Sequence, residues 1–474
     1  MRFCARLLAF VSALAALTCP AAEKPNILFL FTDDQSYEAI HCAGRLKIET
    51  PNLDRLAGRG MMFTHAYNMG AWHGAVCVAS RTMLNTGRSL WSAHGIEKTL
   101  AAERDAGRMW APMMHKAGYE TYFTGKWHVA IKPGSVFDHC SRELPGMPPT
   151  VPSAYNRPLE GKPDSWRSDD PANGGYWKGG THWSVVTADH AIEHLDSAAK
   201  SDKPFFLYTA FNAPHDPRQA PTEFLDRYDV AKIDVPKSFL PEYPHAKSMG
   251  AGPTLRDEKL APFPRTEFAV RTHRREYFAL VTHLDAQIGR ILEALETNGQ
   301  TDNTWIFLTS DHGLSCGHHG LMGKQNPYDV AVRVPFLVSG PGVPAGEICR
   351  EPIYLQDVMP TTLELAGADL PEHVEFRSLL PFLRGESGAT GRESVYYAYM
   401  DTQRAITHDG WKLIVYPKAR VVRLYQVSKD PDETKDLAWN KLYAGRIRSL
   451  FGKLVELQDK HGDPLDLKSL YPHL

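Results

Sequence analysis

The run Ile27 to Phe31 is apolar at every position and is followed at once by Thr32-Asp33-Asp34. A short apolar stretch with no period, bounded by polar residues, predicts a strand buried on both faces, as in a parallel sheet. Lys203 to Phe211 and Trp305 to Gly313 repeat the pattern, the second again ending in polar residues, Asp311-His312. Tyr119 to His128 and Arg333 to Val338 predict two further strands. Helical spacing is clearest from Phe268 to Glu296, where Tyr277, Leu280, Val281, Leu284, Ile288, Ile291, Leu292 and Leu295 share one face. Shorter helices are expected over Pro51 to Ala57, Met109 to Lys116 and Val185 to Ala199, with Gly58 and Gly118 as stops. Near the C-terminus the order changes. Val395 to Tyr399, Arg404 to Thr407, Trp411 to Tyr416 and Arg423 to Val427 are strand-like in succession, and a closing helix follows over Trp439 to Lys460. The expected fold class is α/β: a large mixed, mostly parallel sheet flanked by helices, then a smaller C-terminal antiparallel sheet plus helix.

The division that follows is 1–22, 23–390 and 391–474, with the small polar stretch Gly385 to Gly391 as the boundary of the last part. Residues 1–22 have the form of an export signal: Arg2 and Arg6, the apolar run Leu7 to Leu17, then Pro20-Ala21-Ala22 for cleavage. That run is too short for a membrane span. With 53 basic and 55 acidic residues the chain has no global field, which argues against nucleic acid or a membrane surface as partner. Beyond the signal the cysteines are Cys42, Cys77, Cys140, Cys316 and Cys349, spaced widely enough to form disulfides or to stay free. Residues 132–183 and 216–265 show no period and are rich in proline, which suits a binding face. Trp166, Tyr176, Trp177 and Trp183 could stack on sugar rings there or pack beneath the loop.

Candidate chemistry gathers at the strand ends. In open α/β sheets ligands bind at the carboxyl ends of strands, where Asp33, Asp34, Asp311 and His312 stand. Adjacent carboxylates repel one another unless a cation lies between them. Mostly oxygen donors indicate a hard divalent cation, calcium before magnesium in so irregular a site, although imidazole is an unusual calcium ligand. Lys126 and His128, on either side of Trp127, are expected to point the same way from an extended segment. His215 sits between Pro214 and Pro217 with little backbone freedom. Cys77 opens a helical stretch, whose free N–H groups suit an anion.

The stretch Cys77-Val78-Ala79-Ser80-Arg81-Thr82-Met83-Leu84-Asn85-Thr86-Gly87-Arg88 resembles the activation signature of type I, formylglycine-dependent sulfatases of the alkaline phosphatase superfamily. It departs only at Ala79, where most members carry proline. Thr124-Gly125-Lys126-Trp127-His128, Pro214-His215-Asp216-Pro217, Ser310-Asp311-His312-Gly313 with Lys324 downstream, and Asp357-Val358-Met359-Pro360-Thr361 resemble further segments of that family in the same order. Histidine at 312, where many members have asparagine, is similar to iduronate sulfatase and related exported bacterial-type enzymes.

The resemblance implies that a maturation enzyme oxidises Cys77 to formylglycine, whose hydrate is the nucleophile. It implies one calcium ion held by Asp33, Asp34, residue 77, Asp311 and His312. Arg81, Lys126 and Lys324 would neutralise the sulfate, His215 would protonate the leaving alcohol, and His128 would act as base. The implied activity is hydrolysis of sulfate esters, on a sulfated carbohydrate or another sulfate ester, by an exported enzyme. Two other readings stay open. One is a phosphodiester or phosphonate monoester hydrolase on the same scaffold; the other is a non-catalytic sugar-binding protein in which Cys77 is never converted.

Overall fold

The computed structural model describes residues 24–474, so the export signal expected over 1–22 lies outside the described residues. At its centre is β1 (Asn26–Thr32), buried along its whole length. The other strands of the main sheet are β2 (Met61–Phe63), β3 (Glu120–Lys126), β4 (His139–Leu144), β5 (Phe205–Ala210), β6 (Thr304–Ser310), β7 (Phe336–Ser339) and β8 (Glu347–Cys349). Their order across the eight-stranded sheet is β8-β2-β7-β6-β1-β5-β3-β4. β1 runs parallel to both β5 and β6, and β3 runs parallel to β5, whereas β7 is antiparallel to β6 and β2. The sheet is mixed and mostly parallel, as expected.

The absence of alternation in β1 now has its explanation. Leu28 and Leu30 pack into one apolar layer with α2 (Trp183–Ala198) and α3 (Glu267–Thr297). Ile27, Phe29 and Phe31 pack into the opposite layer with Trp110, Met114 and Leu363. Each such side chain removed from water contributes roughly 1.5–3 kcal/mol, so both layers hold the strand in register. The long helix α3 begins one residue before the expected start, because Thr266 caps it by accepting from the Ala269 N–H.

The C-terminal sheet contains β9 (Ser394–Tyr399), β10 (Gln403–His408), β11 (Trp411–Tyr416) and β12 (Val421–Tyr425), an antiparallel meander covered by α4 (Ala444–His461). Its fifth strand is the pair Gly70–Ala71, which lies parallel to β9. A Cβ on Gly70 would lie 1.9 Å from the Ala398 carbonyl oxygen, so only glycine permits this pairing. The smaller sheet is thereby stitched to the segment that leads into Cys77.

Three sequence expectations change, and one left open is resolved. The strand expected over Arg333 to Val338 is broken at Pro335: Arg333–Val334 pairs with Ala66–Tyr67, while β7 joins the main sheet. Proline lacks the N–H that a continuous ladder needs. The exposed edge strand β4 was not foreseen within the irregular 132–183 segment, since most of it faces solvent and leaves no apolar pattern. The closing helix begins at Ala444, not Trp439, which is exposed and precedes a cap by Asn440. Trp166, Tyr176 and Trp183 are buried, so they pack beneath their loop and offer no face to a sugar. The five described cysteines are all free. No helix among the described residues is long and apolar enough to cross a membrane.

Candidate active site

The parallel pairing of β1 with β6 runs in register to Thr32 opposite Ser310. Asp33 and Asp311 therefore leave adjacent strands side by side. Asp34 has a positive φ of 66°, and its N–H donates to Asp311 Oδ1 at 3.2 Å. The turn brings a third carboxylate to the same point. All three are fully buried or nearly so.

Cys77 is the second residue of α1 (Val76–Thr86), a helix that ends at Gly87 and packs through Val76, Ala79 and Met83 against the C-terminal sheet. Its Sγ lies 3.2 Å from Asp33 Oδ1, 4.0 Å from Asp34 Oδ1 and 3.0 Å from Lys324 Nζ. Arg81, one turn further, donates from Nε to Asp311 Oδ2 at 2.9 Å and from Nη1 to the Lys126 carbonyl at 2.8 Å. Its guanidinium lies over the Phe31 ring, and its remaining Nη2 is buried without a partner. Lys126 pairs with Asp33 Oδ2. Lys324 grips both oxygens of Asp34, at 2.5 and 2.7 Å.

Lys126 reaches this point because β3 lies close against β5: a Cβ on Gly125 would stand 1.9 Å from the Ala210 carbonyl oxygen. The strand ends at Lys126, and His128 has a φ of 56°. The expectation that Lys126 and His128 project alike from one extended segment is therefore corrected. A left-handed turn delivers His128, whose ring rests against Gly146, where a Cβ would come within 2.5 Å of it. His215 follows β5, with Nε2 3.7 Å from Asp34 Oδ2. His312 is buried beside Asp311; its Nδ1 lies 3.2 Å from the Gly313 carbonyl and its Nε2 has no partner.

Charge in this enclosure is tightly balanced. Burial, with Asp311 nearby, pushes the Asp33 carboxyl up, and burial pushes Asp34 well above the usual range against the pull of Lys324. Burial acts on Asp311 too, but Arg81, Lys126 and Lys324 together hold it below the ordinary carboxylate value. Burial and the carboxylates Asp311 and Asp33 push the Cys77 thiol well up, which disfavours a thiolate. Burial lowers all three histidines: His128 to about 3, helped by Lys126 and Arg81; His312 to about 4, helped by Lys324; and His215 well below its usual value. Three carboxylates thus face three basic side chains beside the imidazoles of His128, His215 and His312. A divalent cation would leave two positive charges, matched by a monoanionic ester and an ionised nucleophile.

The donor set fits such an ion. Ligand atoms of Asp33, Asp34, Cys77 and Asp311 lie within 4.8 Å of one another, and Asp33, Cys77 and His215 form a second overlapping group. His312 is in neither group. Three supporting residues are not singled out by the sequence as site residues. Asn68 donates to the Asp311 carbonyl at 2.6 Å, Tyr277 donates to the Asp34 carbonyl at 2.9 Å, and Asp216 lies against His215. Asn68 and Asp216 sit in irregular segments, and Tyr277 reads as one more member of the apolar face of α3.

A buried cysteine at a helix start, ringed by acids and bases at the carboxyl edge of a mostly parallel sheet, suits the hydrolysis of anionic esters. The sulfatase family profile matches residues 25–368, and that of the N-sulphoglucosamine sulphohydrolase C-terminal region matches 317–471. The N-acetylglucosamine-6-O-sulfatase of Bacteroides thetaiotaomicron is 26% identical, over 96% of this chain and 91% of that protein. A protein solved in complex with its substrate D-glucosamine-2-N,6-O-disulfate superposes with a TM-score of 0.70 at 24% identity, covering 93% of this chain and 99% of the other. The phosphonate monoester hydrolase of Silicibacter pomeroyi superposes at 0.73 and 21% identity, covering 92% and 96%. These two likenesses show the fold. The chain belongs to the sulfatase family, and it is a sulfuric ester hydrolase.

Proposed function

We propose that the chain removes sulfate from a sulfated carbohydrate, with oxidised Cys77 as nucleophile and one calcium ion held by Asp33, Asp34, residue 77, Asp311 and His312. The observation that carries this reading is the place of Cys77 Sγ, at a helix start and within 3.2 Å of Asp33 and 3.0 Å of Lys324. A thiol there is held protonated, and thiol chemistry would give no route to release sulfate. Converted to the aldehyde, residue 77 supplies a hydrate, with one hydroxyl for attack on sulfur and a second whose ionisation expels sulfate. Calcium, when bound, polarises a sulfate oxygen and favours the ionised hydroxyl.

The chain's own groups divide the remaining work. Arg81, Lys126 and Lys324 hold the charge that grows on the sulfate oxygens as the bond to the alcohol breaks. His215, with Nε2 turned toward the carboxylates, gives its proton to the departing alcohol oxygen. His128, kept neutral by burial and the neighbouring cations, takes the proton of the second hydroxyl. The named specificity of the Bacteroides relative supports a sulfated amino sugar as the substrate class. The reading carries with it export directed by residues 1–22, a catalytic unit over 23–390, a C-terminal unit over 391–474, and maturation by a formylglycine-generating enzyme.

The test joins two measurements on one preparation, made in a host with that maturation activity. Peptide mass spectrometry across residues 77–81 should find the aldehyde or its hydrate in place of the thiol. The same preparation should cleave 4-nitrophenyl sulfate and release sulfate from defined sulfated saccharides, in preference to bis(4-nitrophenyl) phosphate. Full activity with an unmodified thiol, or faster phosphodiester cleavage, would overturn the reading.

A further inference from the structure

His215 is held from behind by an ion-paired assembly that extends beyond the motifs, through Arg256 and Asp257. Its Nδ1 lies 2.8 Å from the backbone carbonyl of Asp216 and 3.3 Å from the Asp216 carboxylate. Both acceptors call for a proton on Nδ1, which leaves Nε2 as the atom that faces the site. Asp216 is itself buried, and Arg256 forks across it, with Nη1 on Oδ2 and Nη2 3.2 Å from Oδ1. The same guanidinium pairs with Asp257 Oδ1 at 2.5 Å. Asp257 accepts from Gln325 Nε2 at 2.9 Å, and Gln325 Oε1 accepts from the Lys324 N–H at 3.1 Å. One arginine therefore braces both the His215 loop and the Lys324 loop. On the far side of the histidine, Tyr176 donates to the His215 carbonyl at 3.1 Å.

We infer that Asp216 is a positioning residue for His215, with Arg256 holding it: together they fix the imidazole with Nδ1 inward and Nε2 directed at the leaving oxygen. The inference rests on the reading of His215 as proton donor. When the sulfur–oxygen bond breaks, the proton on Nε2 passes to the alcohol oxygen, and the ring keeps the Nδ1 proton. Asp216 engages the Nδ1 side of the ring throughout, so it sets where Nε2 points. Against the effect of burial, Arg256 holds that carboxylate below the ordinary carboxylate range and fixes its place beside the ring. Sequence gave no sign of this, because Arg256 stands in the aperiodic 216–265 segment, far along the chain from the motif it serves.

The test uses a series of substituted phenyl sulfates, from 4-nitrophenyl to 4-methoxyphenyl, on matured, calcium-loaded enzyme. A leaving oxygen of low basicity departs without help, whereas a basic one needs the proton. Compared with wild type, Asp216→Asn should lose roughly tenfold to a hundredfold more kcat on the 4-methoxyphenyl ester than on the 4-nitrophenyl ester. Arg256→Gln, at a side chain one third exposed and hence tolerant of change, should steepen the dependence in the same direction. A merely structural defect would lower all members of the series alike. His215→Ala serves as the reference. If it steepens the series while Asp216→Asn and Arg256→Gln both run parallel to wild type, the inference is wrong and the role of His215 stands. If His215→Ala also runs parallel, the proton-donor reading itself fails.

Discussion

Replacing Lys324 with methionine keeps the apolar stem and removes only the ammonium. In the structure Nζ lies 3.0 Å from Cys77 Sγ and grips both oxygens of Asp34. It therefore stands where negative charge would gather during sulfate transfer. Two unit charges about 4 Å apart, at an effective dielectric of about 20, interact by about 4 kcal/mol. Only part of a unit charge is gained on going to the transition state, which puts the share of Lys324 near 3 kcal/mol, roughly a hundredfold in kcat/KM. Folding and metal binding should respond differently. Without calcium the variant leaves Asp34 buried without its cation, a loss of about 3–5 kcal/mol for a broken buried pair. With calcium the carboxylate has a partner again. Lys324→Met should thus melt earlier than wild type in chelator, recover most of the difference on adding calcium, and bind the ion at least as tightly. Steady-state turnover of 4-nitrophenyl sulfate, calorimetric melting with and without calcium, and calcium titration measure the three effects. Near-normal kcat/KM in folded, calcium-loaded Lys324→Met would refute the assignment of this lysine to the transferred group.

Two more outcomes follow from the buried charges. Stripping the enzyme with chelator should abolish sulfate release, and calcium should restore it better than magnesium; undiminished turnover in metal-free protein would remove the metal from the reading. Glu38 carries an acid-stability prediction. Burial alone would raise its carboxyl, but His318, Arg274 and Arg45 outweigh that and lower it from 4.5 to about 2. A depressed carboxyl stabilises the fold fully above about pH 4.5 and loses that contribution as pH falls toward 2, here about 3 kcal/mol in all. The drop in melting temperature between pH 5 and pH 3 should therefore be smaller in Glu38→Gln than in wild type, and equal drops would dismiss Glu38 as a contributor.

What could be read from the sequence follows how each residue is carried. Asp33, Asp34 and Asp311 end apolar strands, so a local pattern marks both the element and its acidic tip. Cys77 and Arg81 share one helical turn, and their spacing alone places them together. His128 shows the limit of that reasoning. Its neighbour Lys126 completes a strand, but a positive φ turns the chain before the histidine, and no alternation of side chains reports a turn of that kind. The groups that hold these candidate residues in place are less visible still. Asn68 holds the Asp311 carbonyl, Tyr277 the Asp34 carbonyl, and Arg256 the carboxylate beside His215. Each of these contacts joins segments far apart in the chain, and each residue type is ordinary in its local setting. Arg256 is also one third exposed, so one and the same irregular segment braces the histidine from behind and reaches solvent. If His215 is the proton donor proposed above, changes in that segment would alter its setting as well as any surface offered to the proposed sugar substrate. For that reason altered substrate preference and altered leaving-group dependence should arise together when residues around Arg256 are exchanged.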